Sequence, residues 1–126
     1  LSATKLVNIN RGEIQQVILN LVNNAVQVLS EQGDRVKTLH IESLNTEEGI
    51  ELLVTDNGPG INAETQAHLF ELLASSNKKA GMGLGLWLCH HIISRHNGRI
   101  LYRDAMGGGA QFIISLPQEQ LSTLAL

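Results

Sequence analysis

Three clusters of residues in this sequence have the types and spacing to do chemistry. The first is a run of amides. Gln16, Asn20, Asn24 and Gln27 recur at steps of four, four and three, so on a helix they share one face. No charged side chain falls between Glu13 and Glu31. A solvated helix face carries Lys and Glu, whereas a run of amides offers neutral oxygens and N–H donors. Asparagine is a poor helix former, so finding Asn20, Asn23 and Asn24 together points to a ligand as their reason. A buried amide network between helices is the other account. Magnesium takes oxygen ligands and keeps several waters, so one amide oxygen beside phosphate oxygens would hold it.

The second cluster, Asp56-Asn57-Gly58-Pro59-Gly60-Ile61, closes an apolar run. A carboxylate at a strand end can accept from a donor edge such as the amino group of adenine. Gly58 and Gly60 let a flat base lie against the backbone without a Cβ clash. Asp-Asn-Gly is also a common turn former, so this motif is weak alone. The third cluster is Gly81-Met82-Gly83-Leu84-Gly85-Leu86, at the start of an apolar helical run. Free N–H groups leading into a helix N-terminus make an anion site. It is neither a Walker A loop nor a dinucleotide fingerprint. Close helix–sheet packing would explain Gly85 but not all three glycines. Lys78 and Lys79, just upstream, are either solvated loop charges or phosphate contacts.

The elements that must carry these clusters follow from pattern. Residues 5–8 read as a short edge strand. Asn10 caps a helix with Glu13 as its capping-box partner, and Ile14, Val17, Ile18, Leu21, Val22, Ala25, Val28 and Leu29 form its apolar face. Residues 36–43 and 50–55 read as a hairpin, and residues 63–73 as a short helix capped by Asn62. Residues 74–81 have turn chemistry and read as a mobile loop. Residues 84–96 form the second long helix, ended by Asn97-Gly98. Two more strands, at 99–103 and 110–116, flank a turn at 106–109, and the residues after Pro117 read as a frayed tail. The expected fold is a two-layer α/β sandwich: a mixed, mostly antiparallel sheet with helices on one face.

Composition narrows the ligand. At 126 residues, with 43% hydrophobic and 17% charged, this is one globular domain. A net charge of −3 and four aromatic residues leave neither a basic stripe nor stacking platforms for nucleic acid. A polyphosphate would therefore be held by a metal ion, backbone N–H groups and a helix dipole. Cys89 is the single cysteine, which excludes an internal disulfide and reads as a small buried hydrophobe. The five histidines lack metal-ligand spacing, and Ser75 and Ser76 lack the setting of a hydrolase nucleophile. His90 and His91 are expected on the partly exposed side of their helix. No stretch approaches membrane-spanning length and the N-terminus has no signal pattern, which reads as cytoplasmic, alone or as a piece of something larger.

Taken in order, these clusters resemble the ATP-binding catalytic domain of two-component sensor histidine kinases, in the GHKL superfamily shared with gyrase B, Hsp90 and MutL and built on the Bergerat fold. The N-box resemblance runs through Glu13-Ile14-Gln15-Gln16-Val17-Ile18-Leu19-Asn20-Leu21-Val22-Asn23-Asn24-Ala25. The first glycine box resembles Asp56-Asn57-Gly58-Pro59-Gly60-Ile61 and the second Gly81-Met82-Gly83-Leu84-Gly85-Leu86, while His96-Asn97-Gly98-Arg99-Ile100 followed by Gly107-Gly108-Gly109-Ala110-Gln111-Phe112 is similar to the family's closing strands. The resemblance implies a catalytic domain over residues 1–118, a tail over 119–126, and ATP with Mg2+ as cofactors. It implies Asn24 as the magnesium ligand, with Asn20 a second catalytic residue on the phosphate side. It implies Asp56 on the adenine amino group, Gly58 and Gly60 beneath the base, and Gly81, Gly83 and Gly85 at the lid hinge and phosphates. Gln27, Ile61, Phe70, Lys78, Lys79, Leu84 and Leu86 complete the implied nucleotide-binding set.

ATP-hydrolysing relatives place a glutamate general base where this chain has Asn20, which cannot take a proton from water. That favours a kinase over an ATPase-type conformational switch, and the intact Asn24, Asp56 and glycines argue against a degenerate nucleotide-sensing docking module. The implied partners are a histidine-containing dimerisation domain of the same kinase and a downstream response regulator. A full-length kinase would be a homodimer, anchored in the inner membrane or not, and the isolated domain a monomer. Two departures stand out. The family's Phe-x-Pro-Phe appears as Phe70-Glu71-Leu72-Leu73, and no His-Glu/Asp-x-x-Pro acceptor segment occurs. None of the five histidines is assigned the acceptor role.

Overall fold

The computed structural model of the chain describes residues 3–33, 36–71 and 83–119. Helix α1 spans Arg11–Ser30, β1 Leu39–Asn45 and β2 Gly49–Asp56; a short α2 covers Ala63–Gln66, α3 Gly83–Arg95, β3 Arg99–Asp104 and β4 Ala110–Pro117. The sheet order is β1-β2-β4-β3, and every pair among these strands is antiparallel. The expected mixed sheet is thus antiparallel throughout among the described residues. Each of these strands pairs with a neighbour running back beside it, so no parallel crossover is needed.

Register decides which face is covered. Ile50, Val54, Phe112, Ile114, Leu116 and Ile100 point to one side of the sheet and join Ile14, Val17 and Leu21 of α1 with Leu86, Cys89, Ile92 and Ile93 of α3. Leu21, Leu86, Ile93, Ile114, Val17 and Cys89 are the largest of the fully buried side chains. Burying each of the larger ones is worth about 1.5–3 kcal/mol, which is what holds both helices on this face. Among the described residues no helix is long and apolar enough to cross a membrane.

The ends of the helices show local chemistry and its long-range substitutes. Asn10 caps α1, accepting the Glu13 N–H at 3.0 Å, as expected. The reciprocal half of the capping box does not form. The Asn10 N–H donates instead to His96 Nε2 at 3.0 Å, and Glu13 pairs with Arg95 at 3.0 Å. α3 ends in a Schellman motif: Gly98 N–H bonds Ile93 C=O and Asn97 N–H bonds Ser94 C=O, both at 3.0 Å. The left-handed residue there is Asn97, at φ 61°. Gly98 is required for another reason, since a Cβ would lie 2.3 Å from the Ser115 carbonyl.

Three expected elements differ. Residues 5–8 form no ladder; the Thr4 and Lys5 N–H groups are taken by the Asn45 side chain at 3.0 and 3.1 Å, which leaves the segment alongside β1 but unpaired. The helix expected over 63–73 is four residues long, though Asn62 does cap it, accepting the Thr65 N–H at 2.8 Å. Gln118 and Glu119 are tied in, their N–H groups bonding Glu48 and Leu6 carbonyls at 2.7 and 2.8 Å. The loop at residues 74–81, with Lys78, Lys79 and Gly81, lies outside the described residues.

Candidate functional site

Where α1 meets α3, the amide face of α1 opens onto a cavity of about 150 Å³ lined by Asn20, Asn23, Asn24, Gln27, Gly85 and Leu86. The sequence-predicted Asn20, Asn24, Gln27, Gly85 and Leu86 are thereby brought together. Gln16 Nε2 donates to Asn20 Oδ1 at 2.9 Å, so that amide is held in place by its neighbour one turn back. Asn24 is different. Its Oδ1 is buried and has no hydrogen-bond partner among the described residues. A buried carbonyl oxygen left unpaired costs about 1–3 kcal/mol, which a bound cation or donor would recover. A neutral oxygen of this kind suits a hard divalent ion that keeps most of its waters.

Gly85 faces the same space. A Cβ there would meet no atom of the described residues within 4 Å, so helix–sheet packing among them does not require the glycine. Gly83 opens α3, and Leu84 follows it in the first turn. Leu86 is buried at the floor of the cavity and belongs to the core. At about 150 Å³ the cavity is smaller than an ordinary small-molecule site of roughly 300 Å³ or more.

The Asp56 turn stands against the same helix, one turn further on. A Cβ at Gly58 would lie 3.3 Å from Val28 and 3.5 Å from Leu29. Asp56 is 7% exposed, and its Oδ1 accepts the Gly58 N–H at 2.8 Å and the Ala110 N–H at 3.4 Å. Two backbone donors on one oxygen only partly offset the burial of a carboxylate; Oδ2 makes no hydrogen bond among the described residues. Asn57 is not a simple turn residue. It clamps the approach to β1, donating to Val36 C=O at 2.8 Å and accepting the Thr38 N–H at 2.9 Å. Gly60 sits at φ +78°. The Ile61 N–H that follows donates to the Tyr102 hydroxyl at 3.0 Å.

Phe70 lies elsewhere. It stacks on His90 at 5.7 Å and meets Phe112 edge-on at 6.2 Å, so it closes the core beneath α3 and is not among the cavity's lining residues. His90 and His91 are exposed, as expected, and His91 stacks on Trp87 at 5.2 Å. Sequence reasoning missed Tyr102 and Gly109. Gly109, at φ +104°, touches the Asp56 backbone so closely that a Cβ would stand 2.0 Å from its carbonyl oxygen. The triple glycine was the available signal; its meaning depends on β4 lying beside β2. Two larger clefts, about 320 and 780 Å³, lie at the other end of the sheet. The first is lined by three carboxylates, Glu47, Glu48 and Glu51, against the single cation Arg99, a net negative lining that disfavours phosphate.

An amide-lined helix and a glycine-opened helix around one cavity, with a buried strand-end carboxylate set against the same amide helix, describe a particular architecture. Residues 9–120 match the model of the family described as histidine kinase-, DNA gyrase B-, and HSP90-like ATPase. The chain belongs to this family. Within it the similarity is to sensor histidine kinases. The chain is 38% identical to the alginate biosynthesis sensor protein KinB of Pseudomonas aeruginosa, over 88% of this chain and 18% of that protein. It is 40% identical to the adaptive-response sensory kinase SasA of Crocosphaera subtropica, over 82% of this chain and 27% of that protein. The chain thus spans about a fifth to a quarter of the length of these relatives. Among solved structures, the nucleotide-free catalytic domain of histidine kinase ThkA superposes with a TM-score of 0.76 at 31% identity, covering 89% of this chain and 70% of that one. The GHKL-type α/β sandwich expected from the sequence is the fold of this histidine kinase catalytic domain.

Proposed function

We propose that this domain binds Mg-ATP and donates the γ-phosphoryl group to a histidine on a separate helical domain of the same kinase, which would in turn serve a response regulator. The observation that carries the reading is the buried Oδ1 of Asn24, without a partner among the described residues, set beside the open space at Gly85. The donor set fits a magnesium ion: Asn24 would contribute the one protein oxygen, and Asn20 and Gln27 would bond phosphate oxygens or bound water. When bound, the ion supplies charge neutralisation on the phosphates. On the base side, Asp56 would accept from the adenine amino group through Oδ2 while Gly58 holds Oδ1. The α3 N-terminus would turn N–H groups and the positive end of its dipole toward the phosphates.

Asn20 supports transfer over hydrolysis. Its oxygen is engaged by Gln16, and an amide has no basicity with which to activate water. Phosphoryl transfer needs positioning and charge stabilisation more than covalent help from the protein. The test is direct: γ-labelled ATP is incubated with the domain alone, then with a helical acceptor domain from a sensor kinase. Label should move to the acceptor histidine with little free phosphate released. Fast turnover by the domain alone would overturn the kinase reading.

A further inference from the structure

The Asp56 turn is held to the sheet by a strand two places away. Tyr102, on β3, accepts the Ile61 N–H at 3.0 Å and donates its own hydroxyl proton to Asp104 Oδ1 at 2.9 Å. Its ring meets Phe112 edge-on, centroids 5.4 Å apart, which fixes where the hydroxyl sits. Burial first, and then the bond to Asp104, push the hydroxyl up to about 12. It therefore keeps its proton at neutral pH and serves as donor and acceptor at once. The same oxygen lies 3.5 Å from where a Gly60 Cβ would stand.

The other anchors of this turn lie in α1's approach to β1, within the turn itself, and on β4, where the Ala110 N–H reaches Asp56 Oδ1 at 3.4 Å. Asn57 is bound to Val36 and Thr38, and Gly58 N–H to Asp56 itself. Past Gly60, the bond from Ile61 to Tyr102 is what ties the backbone back to the sheet. Because Gly58 N–H holds Asp56 Oδ1, a shift of the turn shifts the aim of the carboxylate.

Resting on the ATP reading of this site, we propose that Tyr102, oriented by Asp104, is a positioning residue that sets base selectivity by fixing the turn through which Asp56 is aimed. A fixed carboxylate accepts from the amino group of adenine and repels the carbonyl that guanine presents at the same edge. A carboxylate on a loosened turn discriminates less.

The experiment measures binding of Mg-ADP and Mg-GDP by calorimetry to the whole chain and to its Tyr102→Phe, Asp104→Asn and Asp104→Ala variants. Tyr102→Phe should weaken ADP roughly three- to tenfold, the scale of one lost hydrogen bond, and leave GDP nearly unchanged, so the ADP-over-GDP ratio falls. Asp104→Asn keeps an acceptor oxygen for the tyrosine and should retain the ratio; Asp104→Ala should lower it. The Asp104 pair reads the same relationship if Tyr102→Phe folds poorly. An unchanged ratio in Tyr102→Phe and Asp104→Ala, or equal losses for both nucleotides, would overturn the assignment while leaving the ATP reading standing. Failure of the unaltered chain to bind either nucleotide would overturn both.

Discussion

Asn24 and Gly85 line one cavity from two different helices, and among the described residues each lacks what helix packing usually supplies: a partner for the Asn24 Oδ1, a neighbour within 4 Å for a side chain at Gly85. Glycine within a helix costs about 0.5–1 kcal/mol relative to alanine. Its open surroundings mean that the cost is not returned by packing. Gly85→Ala should therefore stabilise the fold by up to about 1 kcal/mol while its methyl group intrudes on the ligand, weakening Mg-ADP by roughly tenfold or more. Thermal melts and calorimetry on the same samples check both halves. A more stable variant that binds ADP as before would show that the space is not the ligand's.

Asn24 and Asp56 should separate the two ends of the site. Asn24→Ala deletes an acceptor that already lacks a partner, so stability should stay level or rise. The part of ADP affinity that disappears on adding a chelator should vanish in this variant. Asp56→Asn keeps an oxygen for the Gly58 N–H but loses the charge, and should weaken adenine selection while leaving the magnesium dependence intact. ADP affinity that stays the same in both variants would sink the assignment of the site.

How far the sequence carries depends on how local each feature is. The Asn10 and Asn62 caps, the apolar faces of α1 and α3 and the β1–β2 hairpin are written in neighbouring residues and form as expected, though β1 runs Leu39–Asn45 rather than 36–43. The amide face of α1 was legible for the same reason. What was not legible depends on distant chain segments. Glu13 leaves the capping box because Arg95 and His96 arrive from the end of α3, 82 and 83 positions away. Residues 5–8 form no ladder, and the segment is held instead at its start, where the Asn45 side chain takes the Thr4 and Lys5 N–H groups. Tyr102 and Gly109 reach the Asp56 turn only through the register that sets β4 between β2 and β3. For Gly85, read as a packing or a phosphate glycine, the structure adds that its surroundings among the described residues are open.

His96 joins the end of α3 to the start of α1. Its Nδ1–H donates to Ile92 C=O at 2.8 Å, which leaves Nε2 free to accept the Asn10 N–H at 3.0 Å. The side chain is 8% exposed, so water cannot fully replace it. His96→Ala should cost about 1–3 kcal/mol in urea denaturation, with His96→Gln losing less because its amide retains an acceptor. ADP affinity should hold within about twofold in both, since the bond lies at the far end of α1 from the amide cavity. A loss of affinity without a loss of stability would mean that this joint communicates with the site.

Cys89 gives the fold an alkaline limit. The thiol is fully buried between α1 and α3, with its sulfur 3.7 Å from the Val17 carbonyl oxygen. Burial pushes its pKa from 9.0 up to about 11, the Asn20 amide offsetting only part of that. For a thiol, a raised pKa means that folding favours the protonated form. Its contribution is complete below the unfolded value near 9.0 and is lost as pH rises toward about 11. The full gap corresponds to about 3 kcal/mol, an upper bound on the effect. Urea denaturation between pH 8 and 11 should therefore show stability falling above pH 9 in the unaltered chain and falling less in Cys89→Ala. Tyr102, shifted up to about 12, adds its own decline only above pH 10, and the two variants share it, so their difference isolates the thiol. At pH 8 a thiol reagent should label Cys89 only as fast as the protein opens. Rapid labelling of the folded chain, or parallel pH profiles for the two proteins, would show that the thiol is not held in the core as a neutral group.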